Sequence, residues 1–240
     1  MTEPAEDFIV HADAETLARD AAERLCAAAS AATERFSVCL AGGSTPKRLY
    51  ELLSGPDFRA RFPWPRTHWF WGDERFVAQS DPLSNYRMVA EAMLSRAPIP
   101  AENIHPMPTE GMAPAASAAA YERTLQSFYG GGALDRRRPL FDVTLLGLGE
   151  DGHTASLFPG TEVLGERRRW AAAVIGAKPE ARITLTYPAL DASGTVMFLV
   201  AGAGKRAILA EVRRGADYPA ARVKPLGRRL WLIDRAAAGG

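Results

Sequence analysis

Phe141-Asp142-Val143-Thr144-Leu145-Leu146-Gly147-Leu148-Gly149-Glu150-Asp151-Gly152-His153-Thr154-Ala155-Ser156-Leu157-Phe158-Pro159-Gly160 is the stretch on which the reading of this chain turns. Its first six residues are almost continuously apolar or β-branched, as a strand covered on both faces is. Gly147, Gly149 and Gly152 then make a flexible turn. The Gly-x-Gly-x-x-Gly spacing is that of a dinucleotide-binding turn, but Pro159 and Gly160 cut the following helix short. The next apolar segment, Ala172 to Ile175, does not end on an acidic residue, so a dinucleotide site is not expected. What remains is Asp151 and His153 near the start of a short helical turn. A helix N-terminus disfavours a protonated imidazole and a nearby carboxylate favours it, so together they keep His153 neutral yet basic, as a general base must be. A capping Asp beside a backbone-bonded His is the ordinary alternative, and the density of glycines around His153 favours the functional one.

Similar apolar segments recur along the chain: Ser37 to Ala41, Thr67 to Trp71, Ala172 to Ile175, Ile183 to Tyr187, Thr195 to Val200 and Arg229 to Ile233. Helix-compatible stretches lie between most of them, at Ala14 to Ala32, Pro46 to Leu53, Ser84 to Leu94, Ala115 to Phe128 and Lys205 to Arg213. This alternation predicts an α/β fold with a mainly parallel sheet and helices on both sides. With no repeat and no linker in evidence, one α/β domain over residues 1–240 is expected. Ligands of such sheets bind at the carboxyl ends of the strands, so the loops that follow them are the places to search.

Ala41-Gly42-Gly43-Ser44-Thr45-Pro46 leaves a strand and enters a helix with proline in its first turn. Gly42 and Gly43 admit a ligand to the backbone, while Ser44, Thr45 and the free helix amides supply donors suited to a phosphate. No Gly-Lys-Ser/Thr follows, so a nucleotide triphosphate is disfavoured. The same turn would also serve as a plain strand-to-helix connection with Ser44 or Thr45 as N-cap. Gly72-Asp73-Glu74-Arg75 puts charge directly after an aromatic strand: Asp73 could orient a hydroxyl or a catalytic partner, and Arg75 could meet a phosphate or an oxyanion. Arg182 and Lys205 stand at element boundaries where each could bring positive charge to a phosphate, or could be solvated there.

Bulk properties exclude several classes. There are 29 Lys plus Arg against 28 Asp plus Glu, which leaves no global bias toward nucleic acid or an acidic membrane. The runs at Arg136 to Arg138, Arg167 to Arg169 and Arg228-Arg229 lack interleaved aromatics and read as solvated faces. The acidic start, Met1 to Asp7, lacks the pattern of a secretory signal, and no apolar run is long enough to cross a bilayer. A soluble, cytoplasmic protein is expected. Cys26 and Cys39 read as buried thiols, and His11, His68, His105 and His153 show no paired ligand spacing, so neither metal nor cofactor is expected. No Gly-x-Ser-x-Gly elbow supplies a serine nucleophile.

Taken together, Ala41 to Pro46, Gly72 to Arg75 with Ser84-Asn85-Tyr86, Gly147 to Gly160 and Arg182-Ile183-Thr184-Leu185-Thr186 closely resemble the 6-phosphogluconolactonase family of the sugar-phosphate isomerase superfamily. The resemblance implies a three-layer modified Rossmann-like fold and metal-independent hydrolysis of a phosphorylated sugar lactone in the pentose phosphate pathway. The substrate phosphate would lie on Gly42 to Thr45 with Arg182 and Lys205, and Gly149 would border the substrate. His153 would activate water, Arg75 or glycine-turn amides would stabilise the oxyanion, and Asp73 or Asp151 would orient His153. A monomer is expected, although nothing in the sequence states the oligomeric state. Two rivals are a glucosamine-6-phosphate deaminase and a non-catalytic sugar-phosphate-binding domain. The deaminase pattern continues past the histidine with an Asn-Glu pair, where this chain has Leu157-Phe158-Pro159 and no carboxylate before Glu162.

Overall fold

The computed structural model describes residues 5–239, so the first four residues of the acidic amino-terminal stretch lie outside it. Seven strands form one parallel sheet: β1 (Ala5–His11), β2 (Phe36–Leu40), β3 (Thr67–Trp71), β5 (Ile104–His105), β6 (Phe141–Leu146), β9 (Ser193–Val200) and β10 (Arg228–Asp234). Their spatial order is β1-β10-β9-β6-β2-β3-β5. From β2 the chain runs outward through β3 to β5, then returns to β6 and builds the sheet in the other direction. β2 and β6 are therefore the switch point, where successive loops part and leave a crevice at the carboxyl ends. The two strands share a short ladder, Val38 opposite Val143 and Cys39 opposite Thr144. Their amino ends are tied by side chains: the Ser37 backbone N–H donates to Asp142 at 2.7 Å, and the Asp142 N–H donates to the Ser37 hydroxyl at 3.0 Å.

Both faces of the sheet are covered. All five residues of β2 are buried, and in β10 the consecutive residues Leu230 to Ile233 are at most 4% exposed, which a one-sided sheet cannot achieve. The main covering helices are α1 (Ala14–Ala31), α2 (Ser44–Leu53), α5 (Pro114–Tyr129) and α7 (Arg206–Arg213), joined by the short α3 (Pro56–Arg59), α4 (Asn85–Val89), α6 (Tyr187–Asp191) and α8 (Arg235–Ala238). A capping box between Asp13 and Thr16 starts α1, and Leu17, Ala21 and Leu25 form its fully buried stripe. The expected helix over Ser84 to Leu94 is divided, with α4 passing into a π-helical turn at Ala90–Leu94.

Two segments read from their apolarity as sheet strands stand apart. β7 (Ala171–Val174) and β8 (Arg182–Leu185) pair antiparallel, and β8 pairs antiparallel with β4 (Asp73–Arg75), giving a separate three-stranded sheet. The connection between Val174 and Arg182 is too short for a crossover helix, so β7 and β8 can only be antiparallel neighbours. β1 escapes an apolarity search because it is an edge strand, exposed or half-buried throughout.

Histidine spacing along the chain concealed one contact. His68 Nδ1 and His105 Nε2 stand 3.1 Å apart between β3 and β5, and His105 stacks on Phe70. Burial holds both imidazoles below the usual histidine range, His105 at about 4. The unfolded chain therefore binds protons more readily than the folded one. Stability should be complete above the ordinary value of 6.5 and decline as pH falls toward 4. Urea unfolding at pH 7 and pH 5 should show that decline in the wild type and a shallower one in His105→Phe. Equal declines would remove the pair from the acid response.

Candidate active site

The site is built where strands run out of ladder partners. At the end of β2, the Ala41 N–H donates to the Tyr50 hydroxyl at 3.0 Å, and that hydroxyl donates to the Ala41 carbonyl at 2.8 Å. Tyr121 repeats the device at the end of β3, accepting from the Trp71 N–H at 2.8 Å and donating to its carbonyl at 3.0 Å. Both tyrosines are fully buried, so burial pushes their hydroxyls far up and they stay neutral. Asp234 accepts from the Gly202 N–H at 3.0 Å and so links the ends of β9 and β10.

These strand ends surround a cavity of about 310 Å³. Gly42, Gly43, Ser44 and Thr45 lie on one side, Gly149 and His153 on another, with Asp73, Arg75, Asn85 and Lys205 between them. The residues singled out after β2, β3, β6 and β9 thus converge on one opening. Gly43, at φ 107°, is the N-cap of α2, and no side chain caps the helix. The first amides of α2 have no intrahelical acceptor, so they are available to an anion in the cavity. Ser44 and Thr45 are therefore not the N-cap that a plain connection would have used.

Gly42 is required by its neighbour: a Cβ there would overlap the Asn85 side-chain amide. Asn85 Nδ2 donates to the Asp73 carbonyl at 3.0 Å. Beneath it, Glu74 is 2% exposed and accepts from the backbone N–H groups of Arg75, Asn85 and Tyr86, each at 2.7 Å, and from the Ser84 hydroxyl at 3.1 Å. Burial pushes the Glu74 carboxyl up, against the opposing pull of those three N–H groups. A buried carboxylate thus moulds the Asp73 to Tyr86 wall. Asn85 entered the sequence reading only as part of a matched tripeptide, and nothing local marks it as a cavity residue.

No helix begins at His153. Residues 150–158 form turns and an isolated bridge between Thr154 and Leu157, with Ala155 at φ 47°, so the expected helix-dipole effect on the imidazole has no source here. Leu157 and Phe158 are held in the core instead, and Phe158 packs on the His153 ring with centroids 4.7 Å apart. What orients His153 is Asp151, whose carboxylate faces ring Nδ1 and also accepts from the His153 N–H at 3.1 Å. Burial raises the Asp151 carboxyl, but its bonds to His153 outweigh this and leave it below the usual range. With Nδ1 committed to Asp151, Nε2 carries the available lone pair. Gly149 makes room, because a Cβ there would strike both the imidazole and Asp151, and its N–H donates to the His153 carbonyl at 2.8 Å. Asp151 itself does not line the cavity.

Of the two carboxylates considered as partners of His153, Asp73 is engaged elsewhere: it accepts from the buried Ser156 hydroxyl at 2.6 Å. Arg182 is not a lining residue either. Its guanidinium meets Glu180 at 3.3 Å and is only 11% exposed. It nevertheless stands directly opposite Arg75 in the β4–β8 pair, which places both side chains on one face. Arg75 reaches the Leu83 carbonyl at 2.5 Å.

Comparison with known proteins places the chain in a family. A family model described as glucosamine-6-phosphate isomerases/6-phosphogluconolactonase matches residues 12–231. A 6-phosphogluconolactonase of Nostoc sp. is 48% identical over 85% of this chain and 83% of its own length. One from Synechocystis sp. is 44% identical over 84% and 82%. Among solved structures, 6-phosphogluconolactonase of Thermotoga maritima superposes with a TM-score of 0.82 at 28% identity, covering 95% of this chain and 99% of that one. A monomeric glucosamine-6-phosphate deaminase has the same fold, with a TM-score of 0.82 at 19% identity over 97% of this chain and 99% of that one. With a crevice at the sheet's switch point, an open helix N-terminus and His153 facing into it, and with relatives of this identity and coverage, the chain belongs to the glucosamine-6-phosphate isomerase/6-phosphogluconolactonase family.

Proposed function

We propose that this protein hydrolyses 6-phospho-D-glucono-1,5-lactone to 6-phosphogluconate. The observation that carries this is that His153, held by Asp151, opens onto the same cavity as the first amides of α2. The phosphate lies on Gly42 to Thr45 with Lys205, and Arg182 beside Arg75 adds positive potential. That remote binding energy fixes the lactone carbonyl near His153. Nε2 takes a proton from a water molecule as its oxygen bonds to the carbonyl carbon, and Asp151 stabilises the imidazolium that forms. Arg75 and the amides of the glycine turn face the tetrahedral oxyanion. When the carbon–oxygen ring bond breaks, His153 returns the proton to the departing ring oxygen. Asp73, fixed by Ser156, has a second oxygen for a sugar hydroxyl.

The family covers two chemistries, and the wall around His153 favours the lactonase. Leu157 and Phe158 are buried where the isomerising enzyme's pattern has Asn and Glu, and Glu162 does not line the cavity. Ring opening of an amino sugar needs several proton relays, whereas lactone hydrolysis needs one base and one water. All the groups invoked come from one chain, so the site is complete in a monomer. No step calls for a metal or an organic cofactor. Action in the cytoplasm is part of this reading; among the described residues no helix is long and apolar enough to cross a membrane.

His153→Ala should lower kcat on freshly generated lactone by about 100-fold to 10,000-fold while leaving the fold intact by circular dichroism. A wild-type rate would remove His153 from its role, and release of ammonia from glucosamine 6-phosphate would favour the other chemistry. Lys205→Ala should raise KM by about tenfold with a smaller change in kcat, as expected for lost phosphate binding. A loss confined to kcat would place Lys205 at the reacting carbonyl instead. Gly42→Ala should displace Asn85 and lower kcat/KM, with the unfolding midpoint recording any general damage.

A further inference from the structure

A second cavity, of about 390 Å³, is larger than the active site and lies elsewhere in the fold. Its lining includes Arg229 at the amino end of β10 and Glu6 and Phe8 on neighbouring β1, whereas the active site takes the carboxyl ends of the strands. One wall is the end of α7 at Arg213, and another is the segment from Ala216 to Lys224.

Its charges are unevenly balanced. Arg222 is bound by both oxygens of Asp217, at 2.6 and 2.7 Å, and Arg229 Nε meets Glu6 at 2.8 Å. Arg213 and Lys224 are different: among the described residues neither has a carboxylate within the 4.0 Å of an ion pair. The Arg213 guanidinium lies over the Phe8 ring at 5.1 Å. Phe8 is itself stacked on Trp231, with centroids 5.6 Å apart. Lys224 feels the Asp191 carboxylate, which accepts its backbone N–H at 2.7 Å, but with Arg213 it stands outside any close ion pair, so the concave surface keeps a positive potential in a chain whose net charge is only +1.

The wall is also preformed. The Ala220 N–H donates to the Gly152 carbonyl at 3.0 Å, the Tyr187 hydroxyl donates to the Pro219 carbonyl at 3.1 Å, and the Tyr218 ring packs on Gly152. The middle of the segment is thus pinned to the turn that carries His153, while its two ends border the second cavity. A site whose walls are already ordered loses little conformational entropy when a ligand enters.

We propose that this cavity is a second binding site, for a small polyanion of the phosphate or polycarboxylate class, held by Arg213 and Lys224. Calorimetric titration of the whole protein at low salt, with inorganic pyrophosphate in one arm and citrate in the other, distinguishes the two classes. At least one probe should bind, and the tighter one identifies the class. The Arg213→Ser/Lys224→Ser double variant should weaken that binding by about tenfold or more, since both lost contacts are charge-assisted. Both residues are exposed, so its basal lactone hydrolysis and unfolding midpoint should match the wild type. Lys205→Ala, which alters only the active site, should leave this binding in place. Failure of both probes to bind, equal binding by the double variant, or loss of all binding in Lys205→Ala would each overturn the proposal.

Discussion

A parallel sheet that keeps its carboxyl edge open must still satisfy the backbone groups stranded there, and this fold meets that demand with buried side chains. Tyr50 takes both polar groups of Ala41, Tyr121 those of Trp71, and Asp234 the Gly202 N–H. An unpaired buried N–H or carbonyl costs about 1–3 kcal/mol, so each pairing outweighs a typical surface contact. Tyr50 comes from α2, Tyr121 from α5 and Asp234 from the end of β10, so the loops that line the crevice are not spent on satisfying these groups. Gly42 to Thr45 and the histidine turn can line one cavity because those positions are not used to plug strand ends.

The same logic explains the glycines. Gly42 yields space to the Asn85 amide and Gly149 to the Asp151–His153 pair, so in each case a missing Cβ lets a functional side chain approach the backbone. The Asp151–His153 contact spans two residues and needs no helix to hold it. It relies on the bond from the Gly149 N–H to the His153 carbonyl and on core burial of Leu157 and Phe158 just beyond. Buried Glu74 plays the corresponding part on the opposite wall, ordering three backbone amides around one carboxylate.

The small antiparallel sheet gives the site its cationic flank. β4 continues from β3 across Gly72, whose carbonyl accepts from the Leu185 N–H at 2.8 Å, and the pairing that follows sets Arg75 against Arg182. Like charges at directly opposed positions repel, and Glu180 offsets part of that repulsion by pairing with Arg182 at 3.3 Å.

Much of this was legible in the chain. The long apolar runs of β2, β3, β6, β9 and β10 identify themselves because strands covered on both faces tolerate little else, and α1 and α5 are long enough for their periodicity to show. The glycine turns mark where backbone and ligand must approach, which is why Gly42 to Thr45, Gly149 and His153 could be named before their meeting was seen. Tertiary structure decided the rest. It chose Asp151 over Asp73 as the partner of His153, set Arg182 beside the cavity rather than in it, separated β7 and β8 from the main sheet, and joined His68 to His105. Those outcomes depend on which groups become neighbours after long excursions of the chain, and local patterns carry no record of that. Residue chemistry states what a side chain can do, and only packing determines what stands within 3 Å of it.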